Sequence, residues 1–186
     1  MTLYKFNRTT NNINAEKLMR INYRKECESD IDAIDTLTQL AFVNVEHSTH
    51  TEHFIVRRLR DASALSVSLV AETNGEIIGH VALSPVTISD GSINWYGLGP
   101  ISVRPDYQDK AIGSSLISEA LSELKKLGAA GCVLLGQPSF YSRFGFTANT
   151  SIVLEGVPAA YFLQLTFSDK APSGIVNYHS AFSATR

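Results

Sequence analysis

Cysteine is almost missing from this chain of 186 residues: only Cys27 and Cys132 occur, far apart in the sequence. Two such thiols match no metal-ligand spacing and offer no disulfide framework of the kind small secreted domains need. An excess of one charge is missing too, since 16 Lys and Arg stand against 18 Asp and Glu for a net charge of −2. That excludes a global basic field able to hold nucleic acid or an anionic membrane, so a bound anion must be held by a local device. Nothing approaches the roughly 20 apolar residues of a membrane helix, and the first residues lack the apolar run of a secretion signal. A reduced, cytoplasmic setting is therefore expected, with no nucleic-acid and no membrane partner. The phosphate motif GxxxxGK[ST] is absent, and the pair Gly97/Gly99 has no third glycine to complete GxGxxG.

What is present is globular. Hydrophobic residues make up 44% of the chain and charged residues 18%, enough to build a core without disulfides or metal. Residues 1–16 are polar and rich in Asn and Thr, which predicts a loose leader, and residues 17–186 read as a single domain. Residues 18–23 alternate as a half-buried strand does. Ser29 or Asp30 then caps a helix with Ile31, Ile34, Leu37, Leu40 and Ala41 at helical spacing, and Thr51 opens a second. Residues 65–72 and 76–88 flank Asn74-Gly75, a strong hairpin signal, and Asp90-Gly91 turns the chain into a third strand over 93–103. A long amphipathic helix follows over 113–127, closed by Gly128. A strand at 132–135, a short helix at 138–144 and strands at 152–157 and 161–167 complete the pattern, with a mixed tail over 171–186. The order predicts one α+β domain of mixed α/β character.

The stretch that carries chemistry is GPISVRPDYQDKAIGSS, residues 99–115. A strand runs into a proline-containing loop, and small residues then precede a long helix. A helix N-terminus has unpaired N–H groups and partial positive charge, so it suits a phosphate, and small residues allow close backbone approach. Lys110 and Arg104 are placed to add local positive charge.

Gln108-x-x-Ala111-x-Gly113 directly after strand-x-Pro resembles the acetyl-CoA loop of the GNAT superfamily of N-acetyltransferases. Downstream, Phe140-Tyr141-Ser142-Arg143-Phe144-Gly145-Phe146 is similar to that superfamily's FYxxxGF box. The pieces GHVALSPV, GLGPISV, LGQPSFYSRFGF and GIVNYHSAF resemble most a bacterial subgroup of predicted N-acetyltransferases. The resemblance covers roughly residues 18–167 and implies a GNAT fold: a central, mostly antiparallel twisted sheet of about seven strands flanked by about four helices. It implies acetyl-CoA as co-substrate, no metal, and a small-molecule or peptide amine as acceptor, attacked directly in a ternary complex. Backbone groups of Ile101, Ser102 and Val103 would then pair with the pantetheine arm, one N–H polarising the thioester carbonyl. The loop Gln108, Asp109, Lys110, Ala111, Ile112, Gly113, Ser114 and Ser115 would bind the cofactor, the N–H groups of Asp109 through Ser114 cradling the pyrophosphate. Tyr141 would protonate the departing thiolate.

Two departures stand out. Ala111 occupies the place of the superfamily's first loop glycine; it costs about 1 kcal/mol if that position needs φ > 0 and nothing if it is helical. No Asp or Glu lies between Gly91 and Arg104, where a carboxylate base on the central strand would sit. His80 on the second long strand is the leading candidate base, with Glu72 or a water on a backbone carbonyl as alternatives. A non-catalytic acyl-CoA-binding or sensory domain of the same fold is the rival reading. Cys132 reads as core. His47, His50 and His53 beside Glu46 and Glu52 read as a solvated helix start rather than a metal site, and Arg57, Arg58 and Arg60 as a wet helix face. One of Trp95 and Tyr96 is expected in the core and the other in the acceptor pocket. That pocket is expected between residues 28–62 and 152–167, and the last strands are a candidate homodimer edge.

Overall fold

The computed structural model describes residues 20–46 and 48–183, so the polar leader falls outside the described residues. The chain opens with β1 (Asn22–Lys25) and two helices, α1 (Ile31–Phe42) and α2 (Glu52–Asp61). A meander follows: β2 (Val67–Thr73), β3 (Glu76–Ile88) and β4 (Trp95–Val103). The turn at Asn74-Gly75 uses positive φ at both residues, 51° and 80°, which is why that dipeptide joins β2 to β3. The second half contains α3 (Ile112–Lys126), β5 (Gly131–Leu135), α4 (Pro138–Tyr141), β6 (Thr147–Ala148), β7 (Ile152–Val153), β8 (Phe162–Thr166) and β9 (Gly174–Asn177).

These strands form a 9-stranded sheet in the order β1-β2-β3-β4-β5-β8-β6, with β9 on the far end of β3 and β7 beside β9. Neighbours are antiparallel except β4–β5 and β7–β9. The expected α+β domain is present, with three differences in the second half, the first being the short, unexpected strand β6. The strand expected over 152–157 is only two residues long, and the mixed tail supplies β9, which extends the sheet beyond β3.

Both faces of the sheet are covered, so β2 and β3 are almost continuously buried rather than alternating. On one face, Ile112, Leu116, Ile117, Ala120 and Leu124 of α3 pack on Leu69, Ala71, Val81 and Leu83. The other face takes Ile34 of α1 and Val56 of α2 against Val70 and Ala82. Asp30 precedes α1 without capping it through its side chain. Its carboxylate instead accepts from Arg24 at 2.6 and 2.9 Å and from the Cys27 N–H at 2.8 Å, while Arg24 Nε donates to Glu72 at 2.7 Å. That cluster ties β1, β2 and the start of α1 together.

The site depends on where β4 and β5 stay paired. Their parallel ladder covers only Trp95, Tyr96 and Gly97 against Gly131, Cys132 and Val133. Beyond it, β5 continues to pair with β8 while β4 from Leu98 to Val103 has no partner on that side. A bulge falls at the same point, because Val81 faces Ile101 while Leu83 faces Leu98. Trp95 and Tyr96 both pack into core clusters, so neither supplies the acceptor pocket.

Gly131 sits where the paired stretch begins, under the indole of Trp95. A Cβ there would stand 2.3 Å from Trp95 Cη2 and 2.7 Å from the Leu165 carbonyl oxygen, one a buried ring and the other backbone. Gly131→Ala is therefore expected to destabilise the fold by about 2 kcal/mol, read as a loss in denaturant midpoint.

Candidate active site at the open edge of the fourth strand

The unpaired edge of β4 exposes some of its backbone groups and not others. Arg104 N–H donates to the Ile78 carbonyl at 2.9 Å, and bonded pairs recur every second residue in an antiparallel ladder. Ser102 therefore bonds toward β3, whereas Ile101 and Val103 point their N–H and C=O groups to the open side. The Val103 carbonyl indeed accepts from Gln108 Nε2 at 3.1 Å. The Ser102 hydroxyl turns away as well, donating to Thr38 Oγ1 at 3.3 Å beneath α1. Of the three strand residues expected to hold a ligand, two turn backbone groups to the open side and Ser102 does not.

A cleft of about 640 Å³ runs along this edge, lined by Ile101, Val103, Gln108, Asp109, Ala111, Ile112, Gly113 and Ser114. Lys110 and Ser115 complete the turn but do not line the cleft. The turn uses two left-handed residues, Asp109 and Ala111, each at φ 60°. Ala111 thus takes the strained alternative. The first backbone bond of α3 is Ser115 N–H to the Ala111 carbonyl at 2.9 Å, which leaves the N–H groups of Ile112, Gly113 and Ser114 as the unpaired first turn.

Charge at this cleft is distributed otherwise than expected. Arg104 is committed to Asp106 through two bonds of 2.8 and 3.0 Å and to Glu76 through a third of 3.0 Å. Lys110 Nζ donates to the Asp106 carbonyl at 2.9 Å. The arginine that lines the cleft is Arg143, whose Nε donates to the Phe140 carbonyl at 2.9 Å. It lies inside the FYxxxGF box, the signal that pointed to its neighbourhood without singling it out.

A second cleft, of about 710 Å³, shares Phe42 and Ile101 as common walls with the first. It is bounded by the N-terminus of α2, by Leu154–Val157 and by the C-terminal segment from Ile175 to Ser183. The first two of these match the expected acceptor region; the third came from the tail that had no clear pattern. Tyr141 lines this cleft, its ring seated on Gly136, where a Cβ would stand 2.3 Å from Cε2. Phe140 meets the ring edge-on at 4.9 Å. Burial pushes the Tyr141 hydroxyl up to about 12, and the same cause raises Tyr178 further. Both phenols are therefore protonated donors at neutral pH.

His80 is not brought to either cleft. It is fully buried under α1 and α2, with Nε2 2.8 Å from Ser68 Oγ and 3.6 Å from Glu26 Oε2. Ser68 donates to Glu26, so the hydroxyl accepts from Nε2–H, and Nδ1 has no partner. Burial pushes the imidazole below its ordinary value against the pull of Glu26. Burial also raises the Glu26 carboxyl, but the His80 ring nearby and hydrogen bonds from Arg60 and Ser68 outweigh it and hold the group down at about 2. A base must reach the reacting nitrogen, and His80 has no surface from which to do so. Glu72 is occupied by Arg24. Cys132 is fully buried, as expected of core. Among the described residues no cluster of three His, Cys, Asp or Glu is placed to hold a metal, and His47 lies outside them. No helix among the described residues is long and apolar enough to cross a membrane.

A mixed sheet that opens beside one strand, with a helix N-terminus at the opening, defines the architecture of the GNAT acetyltransferases. Residues 64–148 match the family described as "Acetyltransferase (GNAT) domain". Escherichia coli "Uncharacterized N-acetyltransferase YhbS" is 32% identical over 167 residues, covering 86% of this chain and 97% of that protein. The chain belongs to the GNAT N-acetyltransferase family. Among solved structures, a GNAT family acetyltransferase from Brucella melitensis in complex with acetyl-CoA is 44% identical, with a TM-score of 0.79 over 88% of this chain and 99% of that one. The E. coli YhbS structure in complex with CoA gives 30% identity and a TM-score of 0.82 over 90% of this chain and 94% of its own.

Relieving the left-handed Ala111 recovers about 1–2 kcal/mol, offset by the roughly 0.4–1 kcal/mol of unfolded-chain entropy that glycine restores. Ala111→Gly is thus expected to raise thermal stability modestly, by about 0.5–1 kcal/mol in a denaturation experiment. For His80 the folded value lies below the unfolded one of about 6.5, so the unfolded chain binds the extra proton and stability falls as pH drops below that value. His80→Gln should flatten the decline in melting temperature between about pH 7 and pH 5.

Proposed function

We propose that this protein transfers an acetyl group from acetyl-CoA to a primary amine by direct attack, with both substrates bound together. The observation that carries the reading is the junction of the two clefts at Ile101 and Phe42. One cleft offers what a pantetheine–pyrophosphate needs, and the other holds a protonated tyrosine. The groove fits such a ligand on its own chemistry. The open N–H and C=O groups of Ile101 and the N–H of Val103 complement an amide-bearing arm as an added strand would, and the unpaired first turn of α3 complements a pyrophosphate. At Gly113 an added Cβ would meet only Val103 Cγ2 at 3.6 Å and Ile101 Cδ1 at 3.9 Å, so the small residue there leaves room in the groove rather than serving the protein's own packing.

Within this reading, an N–H of the β4 edge polarises the thioester carbonyl and stabilises the oxyanion as the amine attacks. Tyr141 gives its proton to sulfur as the carbon–sulfur bond breaks, and burial keeps it protonated for that role. The acceptor is a small-molecule or peptide amine, and the setting is cytoplasmic. Pairing of two copies through the late strands is compatible with β6 being the free edge of the sheet path.

The test is a thermal-shift and calorimetric titration with acetyl-CoA, followed by turnover with an amine panel. At 100 times its Kd the ligand should stabilise the protein by about 2.7 kcal/mol. Gly113→Trp should abolish this shift by filling the groove. Tyr141→Phe should keep the shift and lose about 100-fold in kcat. Absence of any shift overturns the reading. A shift with no turnover of any amine would instead make the protein an acyl-CoA-binding domain.

A further inference from the structure

Glu52, the first residue of α2, lines the second cleft, and its two carboxylate oxygens are held differently. Oε1 accepts a hydrogen bond from Ser48 Oγ at 2.6 Å. Oε2 is buried and has no hydrogen-bond partner among the described residues. A buried carboxylate oxygen without a donor is costly unless a ligand supplies one. An ammonium group entering the cleft would supply the donor that Oε2 lacks.

The rest of the cleft narrows what that cation is. Phe42, Ile55, Leu98, Leu154 and Val157 give it apolar walls, and among the described residues no Lys or Arg lines it. Its other titratable groups are Tyr141, Tyr178, His179 and Glu155. The two phenols are held protonated by burial. His179 Nδ1 accepts from the Ala181 N–H at 3.1 Å, which places the neutral ring's proton on Nε2 and leaves no lone pair for the cleft. Glu155 is exposed to solvent. Glu52, half-buried in the wall of the cleft, alone among them combines a sheltered position with an unpartnered carboxylate oxygen.

We propose that Glu52 receives the acceptor's ammonium group and takes its proton, and that the acceptor is a primary amine on an apolar body with no carboxylate beside the nitrogen. The proposal rests on the acetyl-transfer reading above and names the base that reading leaves unassigned. Glu52 takes one proton from R–NH3+, and the freed lone pair forms the carbon–nitrogen bond. When the carbon–sulfur bond breaks, its electron pair leaves on sulfur, which takes the Tyr141 proton. The tyrosinate recovers a proton from the attacking nitrogen, and Glu52 releases its own to solvent. The products are the amide, the free thiol and one proton. An acceptor with a carboxylate next to its amine would face Glu52 and Glu155 with no basic side chain lining the cleft to offset them.

The experiment compares 2-phenylethylamine with L-phenylalanine as acceptors for the full chain and for Glu52→Gln and Glu52→Asp. Gln keeps an oxygen for Ser48, so the variant retains the local hydrogen bond, and a melting curve verifies folding. The wild type should prefer 2-phenylethylamine by at least about tenfold in kcat/KM. Glu52→Gln should lose about 100-fold for that amine, bind it more weakly by calorimetry, and bind acetyl-CoA as the wild type does. Glu52→Asp should recover part of the loss. Near wild-type turnover in Glu52→Gln overturns the proposal. So does equal use of L-phenylalanine, or failure of an acetyl-CoA-binding wild type to acetylate 2-phenylethylamine. Amine binding that depends on Glu52 in a protein that does not bind acetyl-CoA would keep the ammonium site and overturn the transfer reading instead.

Discussion

Everything functional in this fold follows from how short the parallel ladder between β4 and β5 is. Three residue pairs hold the two halves of the sheet together, and then the strands stop pairing. A longer ladder would bury the groups of Ile101 and Val103 in an ordinary sheet. A shorter one would leave the halves joined only through helices. The ladder is sustained where it exists by close packing: Trp95 lies on Gly131, in a cluster with Val133, Phe162 and Val176. It ends where the bulge between β3 and β4 changes the path of β4. Main-chain geometry, more than any one side chain, makes the groove.

The electrostatics follow the same economy. A protein with a net charge of −2 has no field to attract a polyanion, and the cations at the loop are engaged within it, Arg104 by Asp106 and Glu76 and Lys110 by the Asp106 carbonyl. The turn into α3 answers with backbone dipoles, and Arg143 adds a charge from the opposite wall. Under α1 and α2, Glu26, Arg60, Ser68 and His80 form a partly buried polar network that lines neither cleft. Its hydrogen bonds tie α2, β2 and β3 together, which is a structural task, and only His80 Nδ1 is left without a partner among these groups. Histidine in a strand next to an active site invites a catalytic reading, and burial is what decides against it.

Local chemistry made the first three-quarters of the fold legible in the sequence. Asn74-Gly75 specifies its hairpin, the stripe from Ile112 to Leu124 specifies its helix, and β3 runs over the residues its pattern indicated. The loop Gln108 to Ser114 was legible because a helix N-terminus with small residues has a local signature. The second cleft was not, since it is assembled from three segments far apart in the chain. Glu52 and Tyr178 are brought to one cavity only by β9, a four-residue strand with no periodicity long enough to read. Ser102 shows a finer limit: choosing which of three consecutive residues faces a ligand needs the hydrogen-bond phase of the ladder, and that phase depends on a bulge. Whether Ala111 was strained or harmless likewise waited on a single dihedral angle.

An unpaired stretch of strand is ordinarily a hazard, because its free N–H and C=O groups invite another chain to pair with it and seed aggregation. Here the unpaired stretch is in the middle of the sheet, flanked by β3 on one side and reached past α3, α4 and the end of α1 on the other. A slender ligand can lie along such an edge, but a second polypeptide with its side chains meets Phe42, Phe140 and Arg143 first. A recess that admits a narrow molecule and turns away a second chain would thus guard the open strand against polymerisation.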